Sequence, residues 1–538
     1  MKHGVHSALA PDWYEVALPS RERKQRGHFS TPHALVDQIL DACGYTPAAD
    51  LRQLRVLDPA CGSGNFLARA ALRLCRALQA QGLKQEEIHR RVYANLWGLD
   101  PDPVACCLAE MQVRSALESA RGVSDKTPPL HIHQVDSLAL AWQPCVDLLV
   151  ANPPYLATKN TDLSHYRQTK RRGQADSYLL FVELALRAVR PGGWIGLIVP
   201  DPVLARANAA AERASLLREC TIQHLWHLAG VFSAEVGAVV IVAHKIPPRP
   251  LHQVSWERTR WRTDQRLYET ARASQGIEQE LLASQPGAEL RYLLGGEQGR
   301  VSERLRRALD AEAAPSTGQA RLLAKARLLP LNALVDIKRG EEIGRASSLL
   351  EPLAALKDGL PVLRGGVDLR PYTLQDARLG IERSAISKPI SRYMQPKLLV
   401  VKSTERLQAA LDTRGHVVLQ TLYLLQLHEQ AEDLETAYFL LALLNSRFLS
   451  AYVHHLYTAY KLVQPQIEQA VLARLPVAWG SASERAEIAT RARALAQACS
   501  QVGRGVEWNE FLSALYEEQE RAVCLLYAQV FSQTKESP

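Results

Sequence analysis

Cysteine is scarce and unpaired in this chain. Its 538 residues hold nine cysteines, an odd number, and none stands in a Cys-x-x-Cys spacing. A disulfide scaffold needs paired spacings, so a reducing, cytoplasmic setting is expected. The frame of a zinc site is missing as well, and no metal is expected; His131 and His133 alternate on one strand without a third ligand. No run of 18 or more apolar residues occurs, so no membrane span is expected. Met1 to His6 offers no apolar signal core. There is no long repeat and no low-complexity tract. What is present is 47% hydrophobic and 22% charged, the balance of a globular protein with a proper core. The length suggests two to four domains. A net charge of +8 and a pI near 9.0 are compatible with a nucleic-acid partner, although many basic proteins bind none.

The most informative segment is Asn152-Pro153-Pro154-Tyr155, which follows the short apolar strand Val146 to Ala151. It places two hydrogen-bond acceptors and an aromatic face at the carboxyl end of a strand, where open α/β sheets bind ligands. Asn152 supplies a side-chain carbonyl. Pro153 locks the turn and leaves its own carbonyl free. Tyr155 offers a ring for stacking. This set suits a planar amino group held by both N–H bonds, and it suits neither a hydrolase nor a hydride transfer. An Asx-turn at Asn152 would be the purely structural alternative.

Upstream, Val56 to Leu67 (VLDPACGSGNFL) reads as strand, Gly-rich turn and helix start. Gly62 and Gly64 let the backbone approach a ligand, and the following helix amides favour an anionic group such as a carboxylate. Gly-x-Gly turns also serve dinucleotides, but two details disfavour NAD. Leu67 stands where the third glycine belongs. The next strand-end acid, Asp100, comes 36 residues after Gly64, not the roughly 20 expected.

Strand-like segments recur at 54–58, 96–100, 130–136, 146–151, 194–200, 222–228 and 237–243, with helical stretches such as 66–81 and 178–189 between them. Pro191-Gly192-Gly193 reads as the turn feeding one of these strands. Alternating strand and helix predicts an α/β fold with a mostly parallel sheet covered on both faces. Pro32 after Ser30-Thr31 marks a helix start. After Pro247-Pro248-Arg249-Pro250 the texture changes. Residues 246–330 read as a linker and helical region. Residues 331–538 read as a mixed α+β domain, with one amphipathic helix over 437–452 and one or two closing helices over 481–535.

Taken together, Gly27 to Pro32 (GHFSTP), Asp58 to Gly64 and Asn152 to Tyr155 stand in the order found in the gamma class of DNA adenine-N6 methyltransferases, the TaqI-like group, which this chain resembles. The match spans about the first 245 residues well and the C-terminal half more loosely. There the Leu444-Asn445-Ser446 helix and Leu475-Pro476 resemble a TaqI-like specificity domain. The resemblance implies a Rossmann-like methyltransferase domain over 1–245 and a target-recognition domain over 331–538. The implied co-substrate is S-adenosyl-L-methionine and the implied partner is double-stranded DNA.

On this reading the loop of Asp58, Ala60, Gly62 and Gly64 cradles the cofactor carboxylate. Asp100 accepts from the ribose hydroxyls and Asp136 from the cofactor adenine. A strand-end turn at Asp58 and simple helix capping at Asp100 and Asp136 are the competing structural readings. Family resemblance adds Thr31 at the methionine end and Pro154 lining the pocket. Asn152 and Pro153 hold the target amino group. A base inside a duplex must flip out to reach them, at a cost of a few kcal/mol. Tyr155 and, by resemblance, Phe232 are the stacking platforms; a core phenylalanine is the alternative for Phe232. Lys170-Arg171-Arg172, Trp256 to Arg262 and Lys338-Arg339-Gly340 are candidate DNA-facing stretches, with a solvated loop and an ordinary exposed strand as the competing readings of the first two.

The implied setting is a prokaryotic cytoplasm, associated with the nucleoid, and a restriction–modification or related defence system. Residues 1–26 are too short for a nuclease, so a cognate endonuclease would be encoded separately. A monomer is the default. The same clamp would serve an RNA base or a protein glutamine, and a DNA-binding protein with an inactive methyltransferase fold is a third reading. The length of the C-terminal half favours DNA.

Overall fold

The computed structural model describes residues 30–119, 130–155, 176–229, 231, 237–262, 267–270, 275–291, 296–312, 327–344, 347–428, 433–458, 465–502 and 510–533. The chain divides into two compact units, Met1–Gly295 and Gly296–Pro538.

The first unit is built on one ten-stranded sheet. Its strands are β1 (Val56–Asp58), β2 (Leu96–Asp100), β3 (His131–Gln134), β4 (Val146–Ala151), β5 (Val189–Pro200), β6 (Thr221–Ala229), β7 (Ala238–His244), β8 (Gln253–Arg262), β9 (Leu267–Thr270) and β10 (Gln275–Glu278). The order is β10-β8-β6-β7-β5-β4-β1-β2-β3, with β9 paired to β8. The pairs β3–β2, β2–β1, β1–β4 and β4–β5 are parallel. β7 runs antiparallel between β5 and β6. This is the mostly parallel α/β sheet the alternation implied.

Five helices matter for the site: α1 (His33–Ala42), α2 (Asn65–Ala80), α3 (Gln85–Asn95), α4 (Pro103–Ser119) and α5 (Ser177–Ala188). α2 buries Phe66, Leu67, Ala70, Ala71, Leu74 and Leu78, the i, i+3, i+4 stripe of a helix covering a sheet. β4 is apolar because it is covered on both faces; Leu148 to Ala151 are all buried. Each such leucine or valine contributes about 1.5–3 kcal/mol by leaving water. Arg73, itself buried, locks α2 to α1 through Asp37 Oδ1 at 3.1 Å and the Tyr45 carbonyl at 2.9 Å.

The turn expected at Pro191-Gly192-Gly193 is a bulge within β5, between the pairs Val189–Val146 and Trp194–Leu148. Gly192 has φ +84°, and a Cβ on Gly193 would fall 2.6 Å from the Asp147 carbonyl oxygen, so only glycine lets β5 lie this close to β4. The stretch read as a linker after residue 245 continues the same sheet, with β8 parallel to β6 and β10 closing the edge at Glu278. Helix Glu297–Glu312 does lie in the expected helical region.

The second unit is mixed α+β. One antiparallel sheet orders Val335–Arg339, Leu422–Leu427, Lys397–Val401 and Ala409–Asp412. Another orders Glu351–Pro352, Leu379–Glu382, Gly359–Leu363 and Val417–Val418. The helix expected over 437–452 is two, Leu434–Leu444 and Arg447–Val453. Asn445 breaks it, because its amide accepts from Ala409 N at 2.9 Å and donates to Ala409 O at 3.0 Å, sealing the end of a strand. Ser446 then caps the next helix through Leu449 N. Helices Ala482–Val502 and Glu510–Gln533 follow as expected. Among the described residues no helix is long and apolar enough to cross a membrane.

Candidate active site at the carboxyl edge of the sheet

β1 pairs with β2 on one side and β4 on the other, so the strand order reverses at β1. The crevice beyond the carboxyl ends at such a point is the expected ligand site of an open α/β sheet. The Gly-rich loop leaves β1 here. Asp58 Oδ1 accepts from Ala60 N at 3.2 Å, and Gly62 N donates to Asp100 Oδ2 at 3.0 Å. Gly64, at φ +91°, precedes α2, and a Cβ there would fall 2.6 Å from Ala109 Cα on α4. Gly62, at φ +51°, has open space where its Cβ would be. One glycine lets two helices meet; the other leaves the backbone bare toward the crevice.

Asp100 ends β2 with 2% exposure, and its second oxygen accepts from Asp102 N at 2.9 Å. Both carboxylate oxygens are thus fixed by backbone amides. Asp136 follows β3 and caps a short turn through Leu138 N at 3.0 Å. Burial pushes the Asp58 carboxyl up to about 8, with the Asp100 charge adding to the rise. A positively charged group in the crevice would relieve that cost.

At the end of β4, the Tyr155 hydroxyl donates to Asn152 Oδ1 at 3.1 Å. Asn152 Nδ2 donates to Thr31 Oγ1 at 3.2 Å. Pro153 is buried and Pro154 half-buried, and the Ser177 hydroxyl at the start of α5 donates to the Pro154 carbonyl. Burial drives the Tyr155 hydroxyl far above its ordinary range, and the Asp201 carboxylate raises it further. The hydroxyl therefore stays protonated and serves as a hydrogen-bond donor to Asn152.

Thr31, Asp58, Ala60, Gly62, Gly64, Asp100, Asn152, Pro153, Pro154 and Tyr155 thus gather around the ends of β1, β2 and β4, with Asp136 one strand further out. Phe232 and the Lys170-Arg171-Arg172 stretch lie outside the described residues. Trp256 does not face a ligand: it is buried at 1% exposure on β8. Arg258 is exposed on the same strand. In the second unit Arg339 is exposed at a strand end, while Lys338 Nζ donates to Gln426 Oε1 at 2.7 Å.

Sequence reasoning missed two contributors. Asn65 donates from Nδ2 to Ser30 Oγ and to the Thr31 carbonyl, both at 2.9 Å, tying the chain before α1 to the first residue of α2. Its place directly after Gly64 was the available signal. Asp201, directly after β5, lies 3.7 Å from the buried His227 and against Gly237, whose Cβ would fall 2.5 Å from its Oδ2. It was one more acid at a strand end, the same cue that singled out Asp100.

This sheet, with a bare-backbone loop at its switch point and an Asn-Pro-Pro-Tyr edge beside it, has the fold of the S-adenosylmethionine-dependent methyltransferases. Residues 8–254 match the model of the N-6 DNA Methylase family, and residues 360–477 match that of the TaqI-like C-terminal specificity domain. The two matches stand in that order along one chain, and the resemblance read from the motifs is borne out. Among curated relatives, the Type II methyltransferase M.PaeR7I of Pseudomonas aeruginosa is 28% identical over 193 residues, 33% of this chain and 32% of that protein. The Type II methyltransferase M.XhoI of Xanthomonas vasicola is 26% identical over 218 residues, 37% of this chain and 38% of that protein. The chain thus spans about a third of either relative's length. Among solved structures, the Type IIL restriction-modification enzyme MmeI in complex with DNA aligns with TM-score 0.61 and 12% identity, covering 96% of this chain and 78% of that one.

The donor set fits S-adenosylmethionine. Gly62 has open space where a Cβ would stand, Asp100 sets a carboxylate at the end of β2, and the buried Asp58 carboxyl favours a cation nearby.

Proposed function

We propose that this chain is a site-specific DNA methyltransferase that moves a methyl group from S-adenosylmethionine to adenine N6 in double-stranded DNA. It would serve as the modification enzyme of a restriction–modification or related defence system. The observation that carries the reading is the Asn152–Tyr155 edge set beside the Gly62–Asp100 loop at one switch point. The families matched by the two segments and the DNA-bound state of MmeI support DNA as the acceptor.

The cofactor, when bound, supplies an electrophilic methyl on a good leaving group. The chain's task is therefore the acceptor. The adenine N6 lone pair is delocalised into the ring. Asn152 Oδ1 and the Pro153 carbonyl accept the two N6 hydrogens and turn the lone pair toward the methyl. Their fixed dipoles stabilise the positive charge that develops on nitrogen. Holding both partners in line supplies much of the remaining acceleration. Tyr155 takes the flipped base on its ring, and stacking returns about 1–3 kcal/mol of the flipping cost. Phe232 is proposed, by resemblance, as the second stacking platform. Residues 331–538 read the site.

The test is direct. Purified protein is incubated with methyl-labelled S-adenosylmethionine and plasmid DNA, bulk RNA or a protein extract, and the labelled product is digested. N6-methyladenine from DNA is the expected product. Label in RNA or in protein glutamine would overturn the acceptor assignment.

A further inference from the structure

Asn152 must present its oxygen, not its NH2, to the target amino group. An amide turned the other way would set N–H against N–H, and the clamp would repel its substrate. Something other than the substrate has to set that orientation before the base arrives. In this structure Asn152 Nδ2 is directed at Thr31 Oγ1, 3.2 Å away and 121 residues earlier in the chain. Oδ1 is directed to the opposite side, where the Tyr155 hydroxyl reaches it at 3.1 Å.

Thr31 is unusually well fixed for such a task. It is 3% exposed. Pro32 follows it, restricting Thr31 to extended backbone, and the Pro32 carbonyl accepts from Leu35 N at 2.9 Å to start α1. The Thr31 carbonyl is gripped from the other direction by Asn65 Nδ2 at 2.9 Å. Asn65 is itself 6% exposed and is the first residue of α2, directly after the Gly-rich loop. The path from cofactor loop to acceptor clamp is therefore Gly64–Asn65–Thr31–Asn152, each link short and buried or half-buried.

We propose that Thr31 is a positioning residue for methyl transfer: its backbone is held at the carbonyl by Asn65, and its hydroxyl accepts from Asn152 Nδ2, which turns the Asn152 amide with Oδ1 toward the acceptor nitrogen. This rests on the methyltransferase reading and assigns Thr31 a task beyond lining the cofactor pocket. It also gives the cofactor loop a mechanical hold on the clamp, because the residue that opens α2 grips the residue that orients Asn152.

The experiment compares full-length wild type, Thr31→Val, Thr31→Ser and Asn65→Ala for S-adenosylmethionine Kd by calorimetry and for single-turnover methylation of DNA at saturating cofactor and DNA. Valine keeps the shape and removes the acceptor. Thr31→Val is expected to lower the single-turnover rate at saturating cofactor about 10- to 100-fold, the scale of a misplaced reacting group, whatever change the lost pocket hydroxyl makes in cofactor Kd. Thr31→Ser restores the hydroxyl and is expected to return most of the rate. Asn65→Ala, which leaves Asn152 and Thr31 chemically intact, is expected to lower the rate in the same direction. A Thr31→Val enzyme with weakened cofactor binding but wild-type rate at saturation would overturn the proposal and leave Thr31 a pocket residue only. A valine variant that matches wild type on both counts would overturn it as well, as would a serine variant as slow as valine. The wild-type control separates the two levels: if wild type makes no N6-methyladenine in DNA, the methyltransferase reading fails first.

Discussion

Gly62 N lies 3.0 Å from Asp100 Oδ2, so the end of β2 holds the loop that leaves β1. The same carboxylate is assigned to the cofactor ribose, and one side chain thus shapes the cradle and fills a place in it. Asp100→Ala is expected to weaken S-adenosylmethionine binding roughly 10- to 100-fold, since hydrogen bonds to a charged acceptor are worth about 1.5–3 kcal/mol. Asp100→Asn keeps one acceptor oxygen and should lose less. Calorimetric titration reads both. An alanine variant binding as tightly as wild type would remove Asp100 from the cofactor site.

The two loop glycines should fail differently. Gly64→Ala puts a methyl 2.6 Å from Ala109 Cα at φ +91°, so α2 and α4 must part. A loss of several kcal/mol is expected, on the scale of backbone strain plus overpacking, seen as a large fall in Tm. Gly62→Ala meets nothing within 4 Å and carries only the strain of φ +51°, about 1–2 kcal/mol. It should fold with a modest fall in Tm and yet bind cofactor more weakly, because the loop assigned to the cofactor gains a methyl and a strained φ. Equal effects of the two on Tm would contradict this division.

Asp58 gives a pH signature. Its folded value, about 8, lies above the unfolded carboxylate value near 4. The folded state therefore binds more protons between those limits. The contribution to stability is fully present below about pH 4 and is lost as pH rises through 8. Asp58→Asn keeps the shape and cannot titrate. The Tm of wild type minus that of Asp58→Asn should decline as pH rises from 5 to 8.5, measured without cofactor. A flat difference would mean that Asp58 is ionised throughout.

Tyr155 has separable ring and hydroxyl functions. Its hydroxyl occupies Asn152 Oδ1 in this structure, the atom assigned to the acceptor amino group. The target must displace it, so the hydroxyl is not needed in the clamped state. Tyr155→Phe should keep its methylation rate within about threefold, because the stacking face survives. Tyr155→Ala should weaken capture of the flipped base by about tenfold or more, on the scale of about 1–3 kcal/mol per stacked base. A 2-aminopurine at the target position reports this as lost fluorescence gain.

Strands buried on both faces were the easiest to read from sequence. β2 and β4 fall within the expected limits because Leu96 to Asp100 and Val146 to Ala151 are short apolar runs closed by an acid or a proline motif. Site residues at their ends could be placed for the same reason: a strand end is visible locally. What could not be read depends on partners far along the chain. Asn445 interrupts a continuous apolar helix pattern only because Ala409, 36 residues earlier, presents an open strand edge to it. β8 alternates arginine with tryptophan and reads as a surface; only its pairing with β6 shows that Trp256 faces inward. The Thr31–Asn152 contact spans 121 residues, and no spacing rule anticipates it.

The second unit holds a buried ion cluster whose loss should be felt far more than an exposed pair would be. Lys397 Nζ lies 2.7 Å from Asp412 Oδ2, and His416 Nδ1 lies 2.8 Å from Asp412 Oδ1; Lys397 and Asp412 are both fully buried. Burial alone would raise the Asp412 carboxyl, but the His416 hydrogen bond and the Lys397 charge outweigh it and hold it well below its usual range. A depressed carboxylate contributes stability that is present above pH 4 and lost as pH falls. Lys397→Met leaves Asp412 without its cation and should cost about 3–5 kcal/mol, the scale for breaking a buried pair on one side. Replacing both, Lys397→Met with Asp412→Leu, removes the stranded charge and should recover part of that loss, although His416 N and Arg414 N then lose an acceptor. Urea unfolding of the three variants reads the difference. A double variant no more stable than Lys397→Met would show that Asp412 serves its backbone donors more than its lysine.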